Sequence, residues 1–410
     1  MRKTIGIYNL HMQARGGGER LTLVLAEHLS VNHDVLLFHS GELNLRVLER
    51  SFAVDLSRIK LISLNHAELI WKAVAKLHGQ RIPSFSLHHY SLLTKLKLDL
   101  FINASYASSL ACPARQGIFL CLFPHELRET SDVKRLMRQI RRVLTTWIEK
   151  SLTGFDAQNW PESYSRVIAI SRYTANWIEQ LWGLPSEVIY PPCEDMGPPL
   201  EKEKIILHVG RFAAPQNEIA SHHKAQEILL QTFRDMKEAH RQGWELHFAG
   251  NIGPNKESGH FAARLTQDAQ GLPVMFHFNA SFTELRELYR RAALYWHATG
   301  IGFAPPDHPA KQEHFGITTV EAMSAGAVPI VKRSGGQVEI ITHGVDGIFW
   351  DDVSELLDQT NALINAPDKR RLLGQAAVIS STRFRREVFS ADMDQVITRL
   401  MGTEPLLTMF

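Results

Sequence analysis

Short apolar runs alternate with helical patterns along this chain, and the alternation is played twice. Residues 4–10 read as a strand, Gly16-Gly17-Gly18 as a turn, residues 19–29 as an amphipathic helix and residues 34–38 as the next strand. Strand, glycine turn, helix, strand is a βαβ unit, and it commits its two strands to run parallel. Residues 99–103, 118–122 and 167–170 read as further strands, the last followed by a helix over 173–182. The pattern stops at residues 190–203, where Pro191-Pro192 and Gly197-Pro198-Pro199 precede a charged run. Prolines and glycines in that density mark a linker. Beyond it the alternation restarts, with strands over 204–209, 245–249, 274–278, 294–297 and 328–331, and helices over 225–240, 284–292 and near 353–365. Residues 383–401 close the chain as a helix. The fold class expected is α/β, with two Rossmann-like domains facing a central cleft. A length of 410 residues is too long for one ordinary domain and suits two.

Composition excludes several classes. Hydrophobic content of 44% supports a large core. A formal net charge of +2 argues against nucleic acid as a partner. The 20 histidines are scattered, and His88-His89 and His222-His223 lack metal-site spacing with cysteine partners, so no metal is expected. Three cysteines, Cys112, Cys121 and Cys193, are too few for a disulfide framework and point to a reducing, cytoplasmic setting. Residues 1–10 turn polar too soon for a signal peptide. No stretch reaches the roughly 20 apolar residues that span a bilayer, so any membrane contact would be peripheral. Residues 134–150 carry Lys and Arg on an amphipathic pattern. Two readings stand for them, an anionic membrane surface or a solvated face packed on the first domain.

The segment with most chemistry is Glu313-His314-Phe315-Gly316-Ile317-Thr318-Thr319-Val320-Glu321. It sets two carboxylates eight positions apart around a glycine turn, with a small-residue helix behind. Gly316 admits a close ligand, and Thr318 or Thr319 is the expected helix cap. The helix N-terminus would then face a phosphate, with Glu321 in the first turn and Glu313 in the loop before it. The plainer reading is an acidic loop before an ordinary capped helix.

Other segments have similar chemistry. Gly16, Gly17 and Gly18 expose backbone N–H groups that suit a diphosphate, or make a tight turn. Arg211 ends a strand, where ligands bind in open α/β sheets, and Lys224 opens the next helix. The pair could neutralise a leaving diphosphate or stand as solvated cations. His125 follows the strand over 118–122 and either meets a sugar hydroxyl or is a structural histidine. Ser171-Arg172 ends another strand. Ser334-Gly335-Gly336 precedes a helix carrying Glu339 and forms a backbone nest or a plain turn. Residues 300–312 are rich in Gly and Pro and border the acidic segment.

The E-x7-E pattern of Glu313 and Glu321, within EHFGITTVEAMSAGAVPIV, resembles the signature of the retaining GT-B glycosyltransferases of family four. The EHFGI form is most similar to the mannosyltransferases of lipid-linked oligosaccharide assembly. The linker divides the chain into domains over 1–195 and 196–385, and the resemblance implies that residues 386–410 form a helix packing back on the first domain. It implies catalytic roles for Glu313, His125, Arg211 and Lys224. It implies nucleotide-sugar contacts at Gly16, Gly17, Gly18, Arg172, Phe315, Gly316, Ile317, Thr318 and Glu321. The donor it implies is a nucleotide sugar, GDP-mannose, used without a metal or other cofactor. The acceptor is a glycan or lipid-linked glycan. Segments 213–220 and 300–312 are longer than the common family form. A UDP-sugar-dependent transferase, a sugar-nucleotide epimerase or phosphorylase, and a non-catalytic nucleotide-sugar or glycan binder are the rival readings.

Overall fold

The computed structural model describes residues 2–14, 16–64, 85–125, 159–214, 224–253 and 255–402. The basic stretch 134–150 therefore lies outside the described residues, as do most of 213–220 and His222-His223. The chain divides into two units, Met1–Tyr190 with Phe389–Phe410, and Pro191–Val388.

The first unit is built on a seven-stranded sheet. Its strands are β1 (Thr4–Tyr8), β2 (Asp34–His39), β3 (Lys60–Ser63), β4 (Leu100–Asn103), β5 (Gly117–Cys121), β6 (Arg166–Ala169) and β7 (Glu187–Val188). Their order is β3-β2-β1-β4-β5-β6-β7, with parallel pairing throughout. Helix α1 (Gly17–Ser30) connects β1 to β2, and α2 (Arg172–Trp182) follows β6. Strands such as β4 and β5 are buried at every position, as befits a parallel sheet covered on both faces. Phe101, Phe119, Trp160 and Tyr164 anchor one of its cores.

The second unit carries a six-stranded sheet in the order β10-β9-β8-β11-β12-β13. These are β8 (Glu203–Val209), β9 (Glu245–Gly250), β10 (Val274–Phe278), β11 (Ala292–His297), β12 (Val328–Lys332) and β13 (Ile348–Trp350). Period-two alternation sends Ile206, Leu294 and Trp296 into one core, and Ile205, Leu207 and Tyr295 into the other. The helices of this unit include α3 (Gln226–Asp235), α4 (Phe282–Arg291) and α5 (Ile317–Ser324). The helix expected over 225–240 breaks at Met236, whose ψ of 53° leaves the helical region, and resumes over Lys237–Arg241.

Residues 191–202 are bound along the second unit and do not hang loose as a linker. The Cys193 N–H donates to the Phe384 carbonyl at 2.9 Å, and Arg385 pairs with Asp195 at 2.7 Å. The Met196 N–H donates to Ser324 Oγ at 3.1 Å, on the α5 helix. The two compact units separate after Tyr190, within the expected linker over 190–203. The last helix, α6 (Arg386–Gly402), groups with the first unit from Phe389 onward. There His28 Nε2 lies 2.9 Å from the Asp394 carboxylate, and Arg399 lies 2.7 Å from Glu187. Among the described residues no helix is long and apolar enough to cross a membrane.

Candidate functional site

In the second sheet β8 and β11 are neighbours, and the chain winds outward from them in opposite directions. Their carboxyl ends form the switch point at which open α/β sheets hold ligands. Arg211 follows β8 with an exposed side chain. Gly210 between them is required by space: a Cβ there would stand 2.9 Å from Lys224 Cγ and 3.0 Å from His208 Nε2. Its absence lets the Lys224 stem cross the strand end. The Lys224 ammonium then reaches Glu313 Oε2 at 2.5 Å, with 19% and 17% of the two side chains exposed.

The same oxygen accepts a second donor. His297, the last residue of β11 and 1% exposed, places Nε2 2.9 Å from Glu313 Oε2. A carboxylate can only accept, so Nε2 bears the proton. Burial holds the His297 ring below its ordinary pKa, with Glu313 pulling partway back, so the ring is neutral. Thr299 Oγ1 lies 3.3 Å from the same nitrogen. His208, fully buried, donates Nδ1–H to the Trp296 carbonyl at 2.9 Å, and burial pushes its pKa down to about 3. Sequence reasoning selected Lys224, Arg211 and Glu313 and passed over His208 and His297. The signal for them was their place at the ends of two strands that also had to be recognised as neighbours.

The acidic segment departs from expectation at the helix start. Gly316 is the N-cap of α5, with φ 122°, and a Cβ there would run into the Gln337 amide. Neither Thr318 nor Thr319 caps the helix, because glycine's freedom turns the chain without a side-chain cap. Thr318 Oγ1 instead accepts the Tyr295 hydroxyl at 2.7 Å. The helix starts at Ile317, so Glu321 is its fifth residue, in the second turn and not the first. Glu321 is 2% exposed, and its Oε2 accepts the Tyr289 hydroxyl at 2.9 Å. Phe315 is buried edge-on against the Phe384 ring at 5.3 Å. The Gly336 N–H donates to the Glu313 carbonyl at 2.7 Å, so the Ser334–Gly336 nest braces the backbone beneath Glu313. The first N–H groups of α5 point out of its N-terminus past Gly316. Among the described residues no group of three or more His, Cys, Asp or Glu side chains is arranged to hold a metal ion.

The first unit holds the other predicted residues. The Gly16 N–H donates to Glu19 Oε2 at 2.7 Å, capping α1, whose first residue is Gly17. Gly18 packs against Leu122 at the end of β5. His125 stacks on Trp160, with centroids 5.9 Å apart and planes 7° apart, and meets Trp182 edge-on at 5.8 Å. The Trp182 indole N–H donates to the His125 carbonyl at 2.9 Å. Burial lowers the ring's pKa, so His125 is a neutral imidazole. Ser171 caps α2 through the Thr174 N–H at 3.0 Å, and Arg172 stands exposed at its first position.

Two family models match this chain in tandem and together span most of it. One, described as Glycosyltransferase Family 4, matches residues 15–195. The other, Glycosyl transferases group 1, matches residues 196–378. Among curated proteins, the chain is 25% identical to the GDP-Man:Man(3)GlcNAc(2)-PP-Dol alpha-1,2-mannosyltransferase of Xenopus laevis, over 60% of this chain and 50% of that protein. It is 23% identical to the human alpha-1,3/1,6-mannosyltransferase ALG2, over 71% of this chain and 70% of that one. It is 27% identical to the sulfoquinovosyl transferase SQD2 of Arabidopsis thaliana, over 47% and 34%. The chain spans about half the length of the two Xenopus GDP-Man:Man(3)GlcNAc(2)-PP-Dol alpha-1,2-mannosyltransferases it matches. Among solved structures, a glycosyltransferase from Rickettsia africae superposes with a TM-score of 0.67 at 14% identity, covering 98% of this chain and all of that one. Anabaena HepE, solved with UDP and glucose, superposes with a TM-score of 0.64 at 15% identity, covering 97% and 100%.

Proposed function

The chain belongs to the group 1 glycosyltransferases, with the GT-B fold, and from that membership we propose that it transfers mannose from GDP-mannose to a hydroxyl of a glycan or lipid-linked glycan. The observation that carries the reading is the cluster of Lys224, Glu313 and His297 at the β8/β11 switch point, beside Arg211 and the α5 N-terminus. Cations, a helix N-terminus and a carboxylate at one strand end are what a nucleoside diphosphate bonded to a sugar calls for. The named activities of the curated relatives supply the choice of mannose and GDP.

In this reading the diphosphate lies against Arg211, Lys224 and the N–H groups of Ile317 and Thr318. Negative charge grows on it as the sugar–phosphate bond breaks, so cations already in place favour the transition state over the bound donor. With three such contributions, no divalent metal is needed. Glu321 takes the ribose hydroxyls and Glu313 a hydroxyl of the sugar. His125, neutral and packed against two indoles in the first unit, is given a catalytic role by the family resemblance alone. Retention of configuration belongs to the same proposal, as does action at a cytoplasmic membrane face.

The test is a panel of GDP-, UDP- and ADP-sugars read by thermal shift and by sugar release, with and without a chelator. Stabilisation by GDP together with release of mannose from GDP-mannose, unchanged by chelation, is the expected result. A response confined to a UDP-sugar overturns the donor, and loss of turnover on chelation overturns metal independence. No response to any nucleotide sugar points instead to a non-catalytic protein.

A further inference from the structure

Lys224 and His297 bind the same oxygen of Glu313, yet they are held in different ways. Lys224 is a long flexible stem that remains partly exposed. His297 is the last residue of a central strand, at 1% exposure, with its backbone in the β11–β12 ladder. A diphosphate arriving beside Arg211 competes with Glu313 for the Lys224 ammonium. Nothing that enters from solvent competes for a buried imidazole N–H. The groups facing His297 are Lys224, Glu313, Thr299 and His208. His208 is neutral, with its Nδ1–H committed to Trp296, so it brings no competing charge.

We propose that His297 is the positioning residue for Glu313: its Nε2–H keeps the carboxylate at the sugar side of the site when the donor diphosphate draws Lys224 away. This rests on the transfer reading above. The resting Lys224–Glu313 ion pair then becomes an exchange of partners, in which Lys224 passes from carboxylate to phosphate and His297 holds what it leaves behind. A carboxylate that followed the ammonium would miss its hydroxyl, and errors of about 1 Å at a reacting centre cost on the order of 100-fold.

The test uses His297→Leu, which removes the donor, and His297→Gln, whose amide nitrogen falls near the position of Nε2. Donor kcat and KM are measured beside melting temperature, with Glu313→Ala as reference. The expected result is a fall in kcat of about 10–100-fold for His297→Leu, with donor KM within about threefold. His297→Gln should recover most of the loss, and the His297→Leu/Glu313→Ala double variant should be no slower than Glu313→Ala alone. If His297→Leu does not fold, His297→Gln is compared with His297→Asn, whose amide nitrogen falls near Nδ1 instead. Gln active and Asn slow is then the supporting result. Equal losses in both variants, tracking melting temperature, make His297 a packing residue and overturn the proposal. A fully active His297→Leu enzyme overturns it too while leaving the transfer reading intact. A wild type that turns over no nucleotide sugar removes that reading and this proposal together.

Discussion

The Tyr289 hydroxyl donates to Glu321 Oε2 at 2.9 Å, with both side chains buried. Tyr289 comes from α4 and Glu321 from α5, so the contact fixes a carboxylate from a second helix. Hydrogen bonds to charged groups contribute about 1.5–3 kcal/mol. Tyr289→Phe keeps the ring and removes only the donor. Stability should fall by about that amount, and donor KM should rise roughly tenfold with little change in kcat. An unchanged KM would separate Glu321 from donor binding.

Lys224→Met removes the cation that meets Glu313 and keeps most of the stem that packs at Gly210. Removing one preorganised electrostatic contact from a transition state costs about 100- to 1000-fold in kcat. The same loss is expected here, measured as sugar released per unit time. A change in KM alone would assign Lys224 to uniform binding of donor and transition state.

Gly316→Ala adds one methyl group where φ is 122° and the Gln337 amide stands in the way. Such backbone strain costs on the order of 1–3 kcal/mol. A urea titration should show that loss, and activity should fall with it because Gly316 aims the α5 N-terminus. An Ala variant as stable as the wild type would mean that the loop relaxes freely.

Lys202 Nζ donates to the Arg290 carbonyl at 2.9 Å and the Ala325 carbonyl at 2.6 Å. These carbonyls close the C-terminal ends of α4 and α5, the two helices joined by the Tyr289–Glu321 contact. Lys202→Met leaves them short of a donor, at a cost of about 1–3 kcal/mol. The effect should be mainly a lower melting temperature, with kcat near wild type at low temperature.

Burial lowers the pKa values of His125, His208 and His297, in the case of His208 to about 3. An unfolded chain takes up these protons near the ordinary value of about 6.5, and the folded protein does so only at lower pH. Between those points the unfolded state binds more protons, so stability falls as pH falls below about 6.5. Each such group contributes about 1.4 kcal/mol per pH unit within its window. Denaturant midpoints measured from pH 7.5 down to 5 should therefore decline, and His208→Gln should decline less steeply. A flat profile over that range would show that these rings are not held neutral.

Most of the fold was legible because its signals are local. The β10 boundaries, Val274–Phe278, coincide with the expected strand, and β8 differs by one residue. Two of the elements that went unassigned had weak patterns. Lys60–Ser63 is half-exposed, and Lys256–Asp268 is a largely polar helix announced only by its Asn255 cap. The Thr318 and Thr319 caps were misread for a related reason. Their hydroxyl chemistry fits a cap, but the buried Tyr295 hydroxyl claims Thr318.

What the sequence determined by itself was the order and type of most strands and of several helices, the place of the glycine turns and the acid pair around Gly316. Each of these follows from period, turn chemistry or spacing within a few residues. Only tertiary structure decided that Glu313 meets Lys224 and His297, and that Glu321 meets Tyr289. Those partners lie 89, 16 and 32 residues apart. They converge because β11 pairs with β8, Tyr295 opposite Leu207, which brings two strand ends together. Strand pairing is a property of the closed sheet, and no local pattern states which parallel strands become neighbours.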